Sequence, residues 1–249
     1  MIKLIRADLK RITAKKSFTI VIVLLSLYSM IRVFIPLLEY EGVSYVAVRG
    51  LMNAGKLVDL IIGIFVFGSI YSDDFKSMSY VQAIGRGFSR SKIVFAKLID
   101  VFIACIIVYG VIAAVLTGLV KLGDIGFGHT LTYAWFLTIF TGFYKTVGYI
   151  ALASMVLYVT NNIPISTVVL VVLYIAVPMS SAFLNLNERL RNLHIDRIHY
   201  VGLADNAMAD FMFGSYLSGI LKYAFGLVVY MGIVVFTTQK WFEKKELEF

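Results

Sequence analysis

Ser72 to Lys97 reads SDDFKSMSYVQAIGRGFSRSKIVFAK, the one long polar interruption in the first half of the chain that charge patterning assigns to the cytoplasm. Tyr71, Phe75, Met78 and Val81 recur at spacings of four, three and three residues, which places them on one face of a short amphipathic helix. Gly85 and Gly87 break that helix, and Ser89 is positioned to cap a new one that runs into the next apolar segment. A short helix carrying apolar groups, held between two membrane spans, is a docking surface. An ordinary solvated loop with one helical turn is the plainer alternative.

The flanking sequence supports the membrane setting. Of 249 residues, 60% are hydrophobic and 15% charged, and the mean hydropathy is +0.87, far from the composition of a soluble domain. The charges collect between apolar runs, as they must where a bilayer tolerates charge only at its edges. Cys105 is the single cysteine, which excludes an internal disulfide or a cysteine-rich metal site. The net charge of +8 follows from the orientation of the spans and calls for no nucleic-acid partner.

Outward from the polar stretch, the expected architecture is an all-α membrane protein forming a single transmembrane domain over 1–249. Ile2, Ile5, Leu9 and Ile12 form an apolar stripe, with Lys3, Arg6, Lys10, Arg11, Lys15 and Lys16 supplying charge around it. Residues 1–17 therefore read as an interfacial helix on an anionic leaflet, or as a basic flank that fixes topology. Six spans follow, over 18–38, 52–72, 98–120, 130–160, 165–184 and 215–238. The second must begin near Met52 to be long enough, which takes in Lys56 and Asp59. The fourth is longer than one crossing requires and should tilt, protrude or kink near Gly142 or Gly148. Asn161, Asn162 and Pro164 mark the turn that ends it. Residues 185–214 read as two short re-entrant outer helices that lid the bundle, with Leu186, Leu190 and Leu193 on the first. Lys and Arg in the connections fall fourteen on the side of the N-terminus, 73–97 and the C-terminus, against six on the other (Arg49, Lys56, Lys121, Arg189, Arg191 and Arg197). Both termini are then cytoplasmic.

Little of the polar chemistry is catalytic. GLMNAGKL at 50–57 has the G-x-x-x-x-G-K spacing of a phosphate loop, but Leu57 replaces the magnesium-binding hydroxyl, no strand precedes it, and it lies on the outer side. His129, His194 and His199 lie in or beside outer loops, and no nucleophile–base or metal-ligand pattern occurs at membrane depth. No bound cofactor and no metal site is expected. Four charges within spans, Arg32, Asp59, Lys145 and Lys222, are candidates for a transport path. Arg32, Asp59 and Lys222 come at similar depths and could form one cluster; alternatively Asp59 neutralises a neighbouring cation and Arg32 snorkels outward. Lys145 lacks an evident partner and should pair across helices. Asp100, near the cytoplasmic end of the third span, should be solvated. Gly110, Ala114 and Gly118 form a small-residue stripe suited to packing within the bundle first and to self-association second.

This arrangement resembles the small type-2 membrane subunits of ABC exporters. The closest match runs from Asp74 to Lys97: an acidic residue, the hydroxyl residues Ser77 and Ser79, a glycine-containing turn ending in Ser89-Arg90, and Lys97 leading into the third span. Gly87 or Phe88 stands where many members have proline. The resemblance implies a permease of a bacterial cytoplasmic membrane, without ATPase activity of its own. It would work with two copies of a separate ABC ATP-binding protein that carries ATP and Mg, and with a second permease copy, as a homodimer in membrane lipid. A coupling helix over 73–97 would meet that ATPase through Asp73, Asp74, Phe75, Ser77, Met78, Val81, Gly85, Gly87, Ser89 and Arg90. Among such permeases the chain is most similar to exporters of amphipathic peptides, such as phenol-soluble modulins; lantibiotic-immunity, drug or lipid export is the alternative. A substrate-capturing membrane module, such as a vitamin-binding subunit, is the reading from a different class. It predicts a docking stripe on the first span that this sequence lacks.

Overall fold

The computed structural model describes residues 2–39, 44–122, 129–186 and 199–244, and among these the chain is helical throughout, with no strand. Helix α1 spans Ile2–Thr13 and α2 Lys16–Glu39, the two meeting at a bend of 64°. Helix α3 spans Ser44–Phe67 and passes through a π-helical turn, Gly68–Ser72, into the short α4, Asp73–Lys76, and α5, Ser79–Gly85. Then come α6 (Arg90–Leu122), α7 (His129–Thr160), α8 (Ile163–Leu186), α9 (Tyr200–Met212), α10 (Tyr216–Phe225), a second π-helical turn (Gly226–Tyr230) and α11 (Met231–Lys244). Five helical stretches are long and apolar enough to cross a membrane, six if α1 and α2 count as one bent crossing. The chain is a multi-pass membrane protein.

Helix α7 is the hub: it packs against α3, α6, α8, α9 and α11. It has the largest buried share of the candidate spans, and α8 the smallest. Helix α1 lies against the start of α6 and against α2, and α9 folds back on α10. The turn at Asn161 and Asn162 closes as expected. Asn161 takes a left-handed conformation, and the Asn162 carbonyl oxygen on the side chain accepts the Ile165 N–H at 3.0 Å, capping α8. GLMNAGKL lies inside α3, so the phosphate-loop spacing sits on a helix and not on a loop.

Helix α3 begins at Ser44, and its stretch apolar enough to cross a membrane begins at Gly55. Helix α7 is one continuous helix through Gly142 and Gly148. Other expectations are corrected. The small-residue stripe does not pack inside the bundle: Gly110 and Ala114 are exposed, and a Cβ on Gly110 or Gly118 would meet nothing within 4 Å. Of the two helices expected in 185–214, the second is α9; the first falls largely on 187–198, outside the described residues.

The most consequential difference concerns Asp73 to Ile84. The single amphipathic helix expected there is two helices, broken at Met78, which adopts φ 50° and ψ 29° and whose backbone carbonyl accepts from Val81 and Gln82 at 2.9 and 3.3 Å. The cause is aromatic packing. Phe75 stacks on Tyr80 at 4.7 Å between ring centroids, yet residues five apart on one α-helix point to roughly opposite sides. Only a reversal between them brings the rings together, and Met78 supplies it.

Candidate functional site

The break between α4 and α5 lies at one end of the bundle and is fixed there from several directions. Asp74, 4% exposed, accepts the Arg11 guanidinium at 2.7 Å, the Ser79 hydroxyl at 3.0 Å and the Lys97 ammonium. The same Lys97 reaches Asp8 at 2.7 Å. Asp73 pairs with Lys15 at 2.6 Å. The ion pairs cross between elements distant in sequence, so α1, α4 and α6 are joined by one ion-paired knot. Around it runs an aromatic cluster: Phe75 meets Tyr158 edge-on and Tyr71 at a tilt, and Phe242 of α11 packs on Tyr80 and Tyr158. Arg90 donates to the Phe242 and Glu243 carbonyls at 2.6 and 3.1 Å, closing the C-terminal end of α11.

The expected docking residues therefore divide. Asp74 is buried, and Phe75 and Val81 pack against the core. They hold the joint together, because the reversal at Met78 turns that face inward. Asp73 and Arg90 are half-buried in contacts of their own. Ser77, Met78, Gly85, Gly87 and Ser89 are exposed, Met78 at 58%. Gly87 has φ +89° and ends the turn, and Ser89 precedes α6 with its carbonyl accepting the Ile93 N–H at 3.2 Å. Asp100 is not solvated: it is fully buried, one turn along α6 from Lys97, because α1 folds over that part of α6.

A second polar site lies within the bundle. A cavity of about 510 Å³ opens between α3, α6, α7, α8 and α9. Asp59 of α3 enters it and accepts the Tyr109 hydroxyl at 2.5 Å. Tyr109 is 2.8 Å from the Thr146 hydroxyl, which also accepts from Tyr174 at 2.8 Å. Two glycines make room for this chain. A Cβ on Gly142 would come within 2.6 Å of the Asp59 carboxylate, and one on Gly63 within 2.7 Å of the Tyr174 hydroxyl. Lys145 lines the same cavity and pairs with Asp205 of α9 at 2.6 Å, which supplies the cross-helix partner expected of it.

The grouping of Arg32, Asp59 and Lys222 is not found. Lys222 pairs with Asp210 at 2.5 Å, within the α9–α10 hairpin and away from Asp59. Hydrogen bonds from Lys222 and Ser218 hold the Asp210 carboxyl below the usual carboxylate range. The side chain of Arg32 lies outside the described residues. Among the described residues no three His, Cys, Asp or Glu side chains gather as a metal site.

Asp8, Tyr109, Thr146 and Asp205 escaped sequence reasoning as site residues, and Lys97 stood out only as the lead into the third span. Asp8 carried a signal: it is the one acid in an otherwise basic α1. Tyr109, Thr146 and Asp205 did not, since their partners lie 28 to 60 residues away in sequence. Compared with protein-family models, with characterised proteins and with solved structures, the chain matches none.

Proposed function

We propose that this chain is the membrane subunit of an ATP-driven exporter of the ABC type, moving amphipathic peptides or similar membrane-active compounds out of a bacterial cell. A separate ATPase supplies the energy, and two permease copies and two ATPases form the working unit. The observation that carries this reading is the joint at α4–α5. Its outward surface, Lys76, Ser77, Met78, Gln82 and Arg86, is exposed. Its inward surface is tied by ion pairs to α1 and α6 and by aromatic contacts to α7 and α11. A force applied at Met78 would reach four helices together, as a lever between a cytosolic motor and a membrane path requires. The docking surface is thus redrawn from the Asp74, Phe75 and Val81 face to the Met78 turn, with Lys76 and Arg86 giving it a basic rim. Residues 73–90 and both termini would lie on the cytoplasmic side, α1 in its interfacial layer, and α9 and α10 toward the outer leaflet.

The test is reconstitution. The chain, purified from its own membrane with its partner ATPase, should stimulate ATP hydrolysis. Met78→Glu should abolish the stimulation without loss of folded protein. ATP hydrolysis by the chain alone, or coupling that survives Met78→Glu, overturns the reading. A second reading, a substrate-capturing membrane module, is favoured by the cavity around Asp59, which lies within a single chain. A small molecule retained through purification in the absence of any ATPase would select it.

A further inference from the structure

The Asp59 cavity has a chemistry of its own that neither the joint nor its ion pairs use. A carboxylate among membrane helices is costly unless a cation meets it. Among the described residues Asp59 makes no ion pair: of the two lysines that line the cavity, Lys145 is held at 2.6 Å by Asp205 on another helix, and Lys56, one turn before Asp59 on α3, is exposed. What Asp59 does have is an aligned donor chain. Tyr109 has one proton and gives it to Asp59, so Thr146 donates to Tyr109 and Tyr174 to Thr146. Every hydroxyl dipole in the series points its positive end toward the carboxylate. The series aims its dipoles at Asp59 and brings no cation to it.

We propose that this cavity is a binding site for an organic cation with an apolar body, whose charge is taken by Asp59. Its volume, about 510 Å³, is that of a small-molecule pocket and far larger than a metal ion needs. The rings of Tyr109, Tyr149 and Tyr174 line it, and electron-rich aromatic rings attract cations once water is excluded. The Lys145–Asp205 pair brackets the cavity between α7 and α9, and Asp205 offsets part of the lysine's charge. Gly142 is the size filter: only a residue without a side chain lets the Asp59 carboxylate lie against α7.

The test is equilibrium binding of radiolabelled tetraphenylphosphonium to the full-length chain in lipid nanodiscs, without nucleotide, with tetraphenylborate as a probe of the same shape and opposite charge. Saturable binding of the phosphonium and none of the borate is expected. Asp59→Asn, which keeps an acceptor for Tyr109, should weaken the phosphonium by about tenfold or more, and Gly142→Ala, which displaces the carboxylate, should weaken it too. Absence of saturable phosphonium binding, equal binding of the borate, or unchanged affinity in Asp59→Asn overturns the proposal. Should Asp59→Asn fail to fold, the comparison of the two probes on the unaltered chain decides. The assay needs no ATPase, so its outcome is independent of the docking proposal above.

Discussion

Asp74 and Asp59 sit at the end and in the middle of one helical run, Ser44 to Lys76, and meet opposite fates. Asp74 is enclosed by Arg11, Lys97 and Ser79, whereas Asp59 has a tyrosine hydroxyl and open space. Buried charge that is fully paired specifies an arrangement, here α1 and α6 clamped on the α4–α5 joint. Asp59, by contrast, meets no cation at contact distance among the described residues and faces a cavity, which is why the two proposals above place the motor contact at the joint and the ligand at Asp59.

The contrast can be broken most severely at the joint. Asp74→Ala leaves the buried Lys97 and the partly exposed Arg11 to share Asp8 alone and should cost up to about 3–5 kcal/mol, read as a lowered unfolding midpoint of the purified chain. A cost near zero would make the knot ornamental. In the cavity, Tyr109→Phe removes the hydroxyl that donates to Asp59 and should cost about 1–3 kcal/mol in the same measurement, less than the loss at the joint. Lys145→Ala should change stability by about 0–1 kcal/mol, because its partner Asp205 is 57% exposed. A large loss there would show that Lys145 serves Asp59 after all. The smallest effect belongs to Asp210. Its folded pKa lies below the unfolded value, so the stabilisation it gives the α9–α10 hairpin is present above about pH 4 and is lost as pH falls through the folded pKa. Amide exchange across Phe213 to Ser215 should therefore quicken at acid pH and stay unchanged from pH 6 to 8.

Local signals in the sequence were enough for the long helices, the breaks at Gly85 and Gly87 and the Asn161–Asn162 turn, because apolar run length and turn residues act over a few positions. The joint was legible in place but not in orientation. Helical spacing put Phe75, Met78 and Val81 on one face. The stacking of Phe75 on Tyr80 overrode that spacing and sent Met78 outward alone. Asp100 was misread as solvated for a related reason: nothing local to α6 reveals that α1 bends by 64° and covers it. Asp59 and Lys145 stood out as charges within apolar runs, but Tyr109 and Asp205 become their partners only through packing between helices 50 and 60 residues apart in sequence.

The sidedness and occupancy of Met78 test the central claim most directly. The buried Cys105 leaves Met78→Cys as the only cysteine open to a membrane-impermeant maleimide. The account predicts labelling in inside-out vesicles stripped of peripheral proteins, none in intact cells, and protection when the partner ATPase is added back. Labelling from the outside of intact cells, or labelling indifferent to the ATPase, would contradict it.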